Sequence, residues 1–554
     1  MNSKRTIYCF SGFKRFAVIL GFVTPIVYLN ITGYSGLDNY FEILSKFLFT
    51  IAIFFFLQFF FKNEKKTFWF LMLLYIPTLI IEFFNILILN QYLSHDNIKS
   101  IYYTNWNETS GFVRDYAKYA LFPLLLVAFL IFLFSINKQK EVSIKPKKAS
   151  LLFSAIIFGV LSFSIPFIKN INSYIFLSDK NIFVHTLKED FFKKPPLNFY
   201  YRLNELRSYI KRFGRHLKLR ESFSFQSNTK EENQPDVVIL IIGEAMRSSN
   251  WTLNGYEKLT SPYLSELDNL ISFKSHYSNA NQTSNSIPTL ITKATPANFE
   301  QAFKEKSIIS LFKEVNYQTA WISNQFIFFL ENQSEPDTLI ANLEKPEITD
   351  IETLVPFKNI LDRKGDNKIF ILINLLGNHT APPLPYKNHF KPNTNGKKEI
   401  SYNDSKEEII NDYDNKILFQ DFILGELINS LKREKLSSLL IFTSDHGINL
   451  FDDDNSSIFG YGSDNPSITE LHIPLFIWFS EQYKEHNEKK IEIMIKNKNK
   501  VSDNLNIFHT VADLSGIDYL DFNPKFSLAR NEYEERDSIP IFNKKKIEYI
   551  KLRN

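Results

Sequence analysis

Residues 236–246 read DVVILIIGEAM, and this short stretch decides the fold of the second half of the chain. Its run Val237–Ile242 contains only β-branched and aliphatic residues, which predicts a strand buried on both faces of a sheet. Ile369–Leu376 and Leu439–Thr443 have the same character, and longer amphipathic segments separate the three runs. Buried strands that alternate with helices predict an α/β domain with a mainly parallel sheet.

Each of these runs is followed by a side chain capable of metal binding or acid–base chemistry. Glu244 follows the first run, His379 the second, and Asp445 with His446 the third. In open parallel sheets, ligands bind beyond the carboxyl ends of the strands, so we expect these side chains to converge. Two carboxylates and an imidazole predict a cation site of a kind that Zn²⁺ or Mn²⁺ would suit.

A further ligand is expected from the segment Asn281–Thr292, NQTSNSIPTLIT. A helix start is predicted near Ser286–Pro288, and the hydroxyls of Thr283 and Ser284 lie just before it. A hydroxyl held by a metal becomes a good nucleophile. Helix capping is the alternative role for Thr283, Ser284 and Ser286, and the residues alone leave that choice open.

The first third of the chain is dominated by apolar stretches, each close to the roughly 20 residues that a helix needs to cross a bilayer. There are five of them: Phe16–Ile31, Phe47–Phe61, Phe68–Leu89, Ala117–Ile136 and Ala149–Ile168. Buried core helices of a large soluble protein are the alternative, but five consecutive stretches favour membrane spans. We predict a helical membrane domain with five transmembrane helices at 1–168, a linker at 169–235 and the α/β domain at 236–554.

Basic residues are unevenly distributed over the loops of this predicted membrane domain. Lys and Arg concentrate at the N-terminus, between the second and third stretches, and between the fourth and fifth. By the positive-inside rule these segments face the cytoplasm, and five spans then put everything after Ile168 on the opposite side. Glu82 lies inside the third stretch, where a carboxylate is either functional or close enough to the interface to reach water.

Two segments outside the apolar stretches have a composition that suits contact with lipid. In the loop Asn90–Tyr116, Thr104 and Glu108 would share one face of a helix, and that polar face could hold a lipid head group. A solvated loop helix is the alternative that the residues alone favour. Phe199–Arg220 mixes apolar and basic residues at helical spacing, which suits a helix on an anionic membrane surface or a plain surface helix.

Composition excludes several classes of protein. The 554 residues include one cysteine, Cys9, so an intrachain disulfide and a cysteine-based zinc site are both excluded. The net charge of +4 is small for this length and gives no support to nucleic-acid binding.

A series of motifs within residues 236–480 resembles the membrane-bound phosphoethanolamine transferases, which include the enzymes that modify lipid A and confer polymyxin resistance. These motifs are VVILIIGEAMRSSNWTLNGYEKLTSPYL, NQTSNSIP, WISNQ, NDYDNKILFQDF, FTSDHGINLFDDD and ELHIPLFIW, in that order. The family belongs to the sulfatase and alkaline-phosphatase superfamily, whose catalytic domain has an α/β/α fold. The five preceding spans and the linker match its architecture, so the resemblance covers nearly the whole chain.

The resemblance implies a reaction. A metal-activated Thr283 attacks the phosphorus of phosphatidylethanolamine, diacylglycerol leaves, and an acceptor takes phosphoethanolamine from the threonine. The acceptor is an envelope glycolipid or glycan, with lipid A or core oligosaccharide foremost. By motif position Glu244, Asp445, His446 and Thr283 match the zinc ligands. One Zn²⁺ is expected and a second is compatible, and Mn²⁺ is not excluded by ligand type.

The resemblance also implies substrate-binding residues and a location. His379 in GNHTAPP matches a substrate or second-metal residue, and Thr104 and Glu108 match lipid-contacting residues. Tyr461 stands where relatives often have a histidine, so either it or His472 is expected to take that hydrogen bond. The protein is expected to be a monomer in the bacterial inner membrane, with its catalytic domain in the periplasm.

Other functions remain as alternatives. A glycerophosphotransferase, or a membrane-tethered phosphatase or sulfatase, would use the same superfamily chemistry, although Thr283 argues against a sulfatase, which needs Cys or Ser at that position. A non-catalytic sensor or scaffold is the alternative of another class. The presence of Glu244, Thr283, Asp445 and His446 together argues against it.

Overall fold

The computed structural model describes residues 38–61, 63–89, 92–94, 97–98, 101–102, 125, 128, 131, 147–174, 182–229, 233–325, 335–341, 349–378, 405–452, 459–463, 466–543 and 546–551. The chain divides into two compact units. Unit 1 comprises Met1–Ile98 and Tyr116–Ser208, and unit 2 comprises Lys99–Asp115 and Tyr209–Asn554. The division near Ser208 falls inside the predicted linker, and the predicted boundaries at 168 and 235 stay predictions.

Unit 1 contains long apolar helices. Three helices in the described part of the chain are long and apolar enough to cross a membrane, over Tyr40–Phe61, Lys65–Asn85 and Lys148–Ile168. They correspond to the second, third and fifth predicted stretches. The first stretch lies outside the described residues and the fourth lies almost entirely outside them, so the count of five spans stays a prediction. The described helices of unit 1 are α1 Asp38–Phe61, α2 Glu64–Leu89, α3 Lys148–Tyr174 and α4 Ile182–Thr186, with a π-helical turn at Leu187–Phe192. Helix α5 Asn198–Glu221 begins in unit 1 and ends in unit 2.

Small and polar side chains join α1 to α3. The hydroxyl of Ser45 donates to the carbonyl of Ser162, and the hydroxyl of Ser162 donates back to the carbonyl of Ser45, both at 2.8 Å. Small residues let helix backbones approach closely in a bilayer, where apolar burial gives no preference for one helix neighbour over another. Gly159 of α3 faces Ala52 of α1 in the same way.

Glu82 on α2 is buried and holds the chain that follows the helix. Its carboxylate accepts hydrogen bonds from the backbone N–H of Leu93 at 3.0 and 3.2 Å and from the side-chain amide of Asn198. These contacts give the buried carboxylate a structural role within unit 1. The segment Phe199–Arg220 is helical as predicted and forms most of α5, whereas its position on a membrane surface stays a prediction.

Unit 2 is built around a seven-stranded mixed sheet in the order β3-β11-β8-β2-β7-β5-β6. The five neighbours from β8 to β6 run parallel, and β11 is antiparallel to both β8 and β3. The prediction of an α/β domain with a mainly parallel sheet is confirmed for these strands. Their bounds are β2 Val237–Gly243, β3 Leu270–Phe273, β5 Gln318–Ser323, β6 Thr338–Ala341, β7 Ile369–Asn374, β8 Ser438–Ser444 and β11 Leu475–Phe479.

The sequence of strand β2 does not alternate between apolar and polar residues, because both faces of the strand are buried. Val238, Leu240 and Ile242 pack into one hydrophobic cluster, while Val237, Ile239 and Ile241 pack into a second cluster on the other face. All of these side chains are fully buried, so both faces of the strand are core. The helices of unit 2 are α6 Pro262–Ser265, α7 Thr283–Ile291, α8 Gln301–Lys304, α9 Ile308–Glu314, α10 Leu354–Arg363, α11 Lys406–Glu434, α12 Ile468–Leu471, α13 Glu481–Asn497 and α14 Leu505–Leu514.

Short strands and turns complete unit 2. Two-stranded sheets pair β1 with β13, β9 with β10, β4 with β12, and β14 with β15. Their bounds are β1 Asn228–Thr229, β4 His276–Tyr277, β9 Asn449–Leu450, β10 Phe459–Gly460, β12 Ser502–Asp503, β13 Ile517–Asp518, β14 Ser538–Asn543 and β15 Lys546–Lys551. The 3₁₀ turns are Ser248–Asn250, Thr252–Asn254, Asp350–Thr353 and Pro524–Phe526.

Candidate active site

The register of the central strands brings two acidic residues together. Gly243 at the end of β2 pairs with Ser444 at the end of β8, so Glu244 and Asp445 leave the sheet side by side. Ligand atoms of Glu244, Asp445 and His446 all lie within 4.8 Å of one another, and together these residues could hold a metal ion. The convergence predicted from three separate runs is therefore observed for the first and the third, and His379, after the second, lies outside the described residues.

Thr283 joins this cluster from the N-terminus of α7. Its Oγ1 lies 3.1 and 3.3 Å from the two carboxylate oxygens of Glu244 and 3.3 Å from Nε2 of His446. The helix begins at Thr283, before the predicted start at Ser286–Pro288. The prediction placed the helix start near Pro288 because proline favours the first helical position, whereas here Pro288 lies inside the helix and cannot donate to the carbonyl of Ser284.

The cluster is buried, and its hydrogen bonds orient the imidazole. Glu244 is 1 % exposed, and Asp445 and His446 are 0 % exposed. Nδ1 of His446 donates to the carbonyl of Gly447 at 2.8 Å, so Nε2 faces the carboxylates and lies 3.3 Å from one oxygen of each. In metal sites, a hydrogen bond from Nδ1 to a carbonyl fixes the imidazole tautomer and leaves Nε2 available as a metal ligand.

Burial also perturbs the protonation of these groups. It raises the pKa of Asp445, and the adjacent Glu244 carboxylate raises that pKa further. Burial lowers the pKa of His446, but the carboxylates of Asp445 and Glu244 outweigh this effect and raise the pKa to about 9. Two buried acids beside one imidazole are an arrangement whose negative charge a divalent cation would offset.

Ser286 ties α7 to the loop that carries Asp445 and His446. Its hydroxyl donates to the carbonyl of Asp445, and the side-chain amide of Asn504 donates to the Ser286 hydroxyl at 3.0 Å. Ser286 is fully buried. Helix α7 and the loop that carries Asp445 and His446 are therefore connected one helical turn below Thr283, so Ser286 does more than cap a helix.

Gln325 is a site residue that sequence reasoning missed. Its side-chain amide donates to Oε2 of Glu244 at 3.2 Å and also to the carbonyl of Leu375. The residue belongs to the motif WISNQ and follows β5, at the same edge of the sheet as Glu244. Its position just past a buried strand was the signal that could have identified it.

Glu470 is a second missed residue, and it joins three segments around the cluster. Its carboxylate accepts hydrogen bonds from the side-chain amide of Asn281 at 2.7 Å, the backbone N–H of Gly462 at 3.1 Å and the hydroxyl of Ser463 at 3.1 Å. Its backbone carbonyl accepts from the N–H of Gly447 at 2.7 Å. Burial raises the pKa of Glu470.

Of the remaining candidate residues, the structure describes Tyr461 and His472. The ring of Tyr461 lies 4.3 Å from that of His446, so Tyr461 is a direct neighbour of the cluster. His472 donates from Nε2 to the carbonyl of Lys274 at 2.8 Å and stacks on Tyr277, and its contacts within the described part of the chain lie away from the cluster. Thr104 and Glu108 lie outside the described residues, as His379 does.

Comparison with known proteins supports the resemblance. Phosphoethanolamine transferase EptC of Escherichia coli (strain K12) is 24% identical over 476 residues, covering 81% of this chain and 79% of that protein. Phosphoethanolamine transferase EptA of Salmonella typhimurium is 25% identical over 303 residues, covering 51% of this chain and 54% of that protein. The predicted resemblance to named phosphoethanolamine transferases is therefore confirmed.

Solved structures give the same fold. The integral membrane lipooligosaccharide phosphoethanolamine transferase A of Neisseria meningitidis matches with a TM-score of 0.71 at 16% identity, covering 92% of this chain and 95% of that one. The C-terminal periplasmic domain of EptC from Escherichia coli, in complex with Zn, matches with a TM-score of 0.52 at 24% identity, covering 59% and 94%. The sulfatase family model matches residues 236–517, which is just over half of the 554 residues. This chain belongs to the sulfatase family.

Proposed function

We propose that this protein transfers phosphoethanolamine from phosphatidylethanolamine to an envelope glycolipid or glycan, with lipid A or core oligosaccharide as the acceptor. The observation that carries the proposal is the position of Thr283, whose Oγ1 lies 3.1 Å from Glu244 and 3.3 Å from His446 at a helix N-terminus. The names of the relatives, which are phosphoethanolamine transferases, support the chemical class.

The donor set of the cluster fits a zinc ion. Two buried carboxylates, an imidazole with a fixed tautomer and a hydroxyl are ligands that zinc accepts, and the zinc complex of the similar EptC domain supports the choice. We propose one Zn²⁺ held by Glu244, Asp445, His446 and Thr283. A second ion and Mn²⁺ remain compatible with the ligand types. When bound, the cation supplies charge neutralisation and makes the threonine hydroxyl more acidic.

Residues of the protein carry out the remaining steps of the reaction. Thr283 Oγ1 donates its hydrogen bond to Glu244, which is placed to accept the proton as the bond from oxygen to phosphorus forms. The bond from phosphorus to the diacylglycerol oxygen breaks, and diacylglycerol leaves with the proton that Glu244 took from Thr283. The N–H groups of Thr283 and Ser284, the first two of α7, have no partner within the helix and can donate to the phosphate oxygens. An acceptor hydroxyl next attacks the same phosphorus and releases Thr283.

The substrate contacts are part of the proposal. Tyr461 beside His446 is assigned to the bound substrate, and His379, His472, Thr104 and Glu108 are assigned by their match to the family motifs.

We further propose a monomer in the bacterial inner membrane, with five spans within 1–168, a linker at 169–235 and a periplasmic catalytic domain at 236–554. The three apolar helices of unit 1 support a membrane location.

The test uses purified full-length protein and phosphatidylethanolamine labelled in its head group. The label is expected to appear first on the protein at Thr283 and then, after addition of lipid A or core oligosaccharide, on the acceptor. Phosphatidylglycerol labelled in its head group is the control, because a glycerophosphotransferase would use it as the donor. Transfer from phosphatidylglycerol alone, release of label only to water, or absence of any labelled protein would each contradict the proposal.

A further inference from the structure

Asp350 is a buried carboxylate that the proposed reaction does not use. It begins the 3₁₀ turn Asp350–Thr353 and is 2 % exposed. Its Oδ1 accepts from the backbone N–H of Leu376 at 2.6 Å and from the side-chain amide of Asn324 at 2.9 Å. Its Oδ2 accepts from the backbone N–H of Gly377 at 2.9 Å and from the side-chain amide of Gln420 at 2.6 Å. All four donors are uncharged, and they come from three separate segments.

Two of these segments also touch Glu244. Gly377 has a positive φ of 58°, and a Cβ added there would lie 2.6 Å from the carbonyl oxygen of Glu244, so the glycine packs directly against that backbone. The next residue, Asn378, donates its N–H to the same carbonyl at 2.9 Å. Asn324 precedes Gln325, whose side-chain amide donates to Oε2 of Glu244 at 3.2 Å. The backbone and the carboxylate of Glu244 are thus each held by a segment that Asp350 holds in turn.

We propose that Asp350 is a positioning residue that sets the backbone and the carboxylate orientation of Glu244 for cation binding. The inference rests on the proposed function, because it requires Glu244 to be a metal ligand. Asp350 has no direct contact with the cluster and acts through the turn at Leu376–Gly377 and through Asn324 with Gln325. Groups that hydrogen-bond a metal ligand directly commonly change metal affinity by about 10- to 100-fold when they are altered, and because Asp350 acts one contact further away we expect the lower end of this range.

A carboxylate suits this position because it offers several acceptor sites and no donor. Asparagine has the same size and shape, but its NH₂ group would face two of the donors that now point at Asp350. Whichever oxygen the NH₂ group replaces, one of the two pairs of donors loses its acceptor, and the turn at Leu376–Gly377 or the segment of Asn324 would have to shift against Glu244. Asp350→Asn therefore disturbs the geometry at Glu244 while it leaves the hydrophobic core unchanged.

The chain offers a matched control in Asp421. It too is 2 % exposed and accepts from two consecutive backbone N–H groups, those of Tyr263 and Leu264, both at 2.9 Å. These donors belong to α6 and not to the two segments through which Asp350 reaches Glu244. Asp421→Asn makes the same chemical change at a buried carboxylate. This carboxylate caps a helix and does not support the proposed site.

The experiment measures the zinc dissociation constant of the full-length protein, in detergent, by competition with a chromophoric chelator. We expect Asp350→Asn to raise this constant by about 10-fold or more and Asp421→Asn to leave it within about 2-fold. Excess zinc should restore most of the transfer activity of Asp350→Asn. Gln420→Met, which removes one donor to Asp350, should weaken zinc binding in the same direction and by less, and it keeps the test usable if Asp350→Asn does not fold.

The outcomes separate this inference from the proposed function. A wild-type protein that binds no zinc contradicts the proposed metal site itself. If the wild type binds zinc and the folded Asp350→Asn and Gln420→Met variants bind it equally well, the positioning role is wrong. Equal weakening by Asp350→Asn and Asp421→Asn would also overturn it, because the effect would then follow from loss of any buried carboxylate.

Discussion

Thr283 combines a reactive oxygen with three favourable surroundings, namely a carboxylate, an imidazole and a helix N-terminus. Thr283→Ala removes the oxygen that would form the proposed covalent intermediate. We expect it to lower transfer by at least about 1000-fold, as loss of a nucleophile does in other enzymes, while thermal stability stays close to that of the wild type. Thr283→Ser keeps a hydroxyl and is the control that should retain measurable transfer. Unchanged transfer by Thr283→Ala would refute the assignment of the nucleophile.

The buried side chain of His276 predicts how the stability of the protein depends on pH. It is fully buried, its Nδ1 lies 2.9 Å from the Ser502 hydroxyl, and burial lowers its pKa to about 3. The unfolded chain protonates this histidine below its ordinary pKa of about 6.5, whereas the native protein does not. The free energy of unfolding therefore falls as pH decreases from about 6.5 towards 3, by up to about 1.4 kcal/mol per pH unit.

His276→Asn should reduce this acid sensitivity. The measurement is the melting temperature of the wild type and of the variant at pH 7 and at pH 4.5. The variant is expected to have a lower melting temperature at pH 7 but a smaller decrease on going to pH 4.5. An equal decrease in both proteins would show that other groups govern the acid sensitivity.

At the scale of elements, helix α12 lies directly on the loop that carries two of the proposed ligands. A Cβ added to Gly447 would lie 2.2 Å from the backbone carbonyl oxygen of Thr469, so no side chain fits there unless backbone moves. Gly447→Ala should therefore displace α12 or His446, lower the melting temperature and weaken zinc binding. Gly159→Ala in α3, where the added Cβ meets only Ala52 at 3.9 Å, should leave both quantities nearly unchanged. Full zinc affinity in Gly447→Ala would contradict this view of the contact.

The central strands could be predicted from the sequence, whereas the supporting contacts could not. Val237–Ile242 is buried on both faces, and that burial leaves a composition that is visible in a single sequence. Strand direction then places the residue after each strand at one edge, which is why Glu244 and Asp445 were expected to meet. Asp350 was missed because its partners are backbone N–H groups and side-chain amides of distant segments, and such contacts leave no pattern near the acid. Glu470 had a local signal, because Ser467 and Glu470 form a capping box at the start of α12, but that pattern does not reveal the bond from the distant Asn281.

The residue at which helix α7 begins could not be predicted from the local sequence either. Proline preference placed the helix start near Pro288, but the helix begins at Thr283, where Gln282 provides no side-chain cap. Tertiary contacts replace that cap, since Ser286 is bonded to the carbonyl of Asp445. Local propensity could not reveal a helix start that is fixed by a loop more than a hundred residues away.

For the molecule as a whole, the proposed cation would link the site to the stability of the protein. The cluster places two buried acids beside an imidazole, and a ligand that binds only the folded state stabilises it by RT ln(1 + [L]/Kd), or about 2.7 kcal/mol at 100 times Kd. Removal of zinc from the full-length protein by a chelator should therefore lower the melting temperature and abolish transfer. Zinc should restore both, and Mg²⁺ should not, because it prefers an octahedral set of oxygen ligands to an imidazole. A melting temperature that is indifferent to chelator and to added zinc would contradict a structural contribution of the metal, and transfer that survives complete removal would exclude the metal from the reaction.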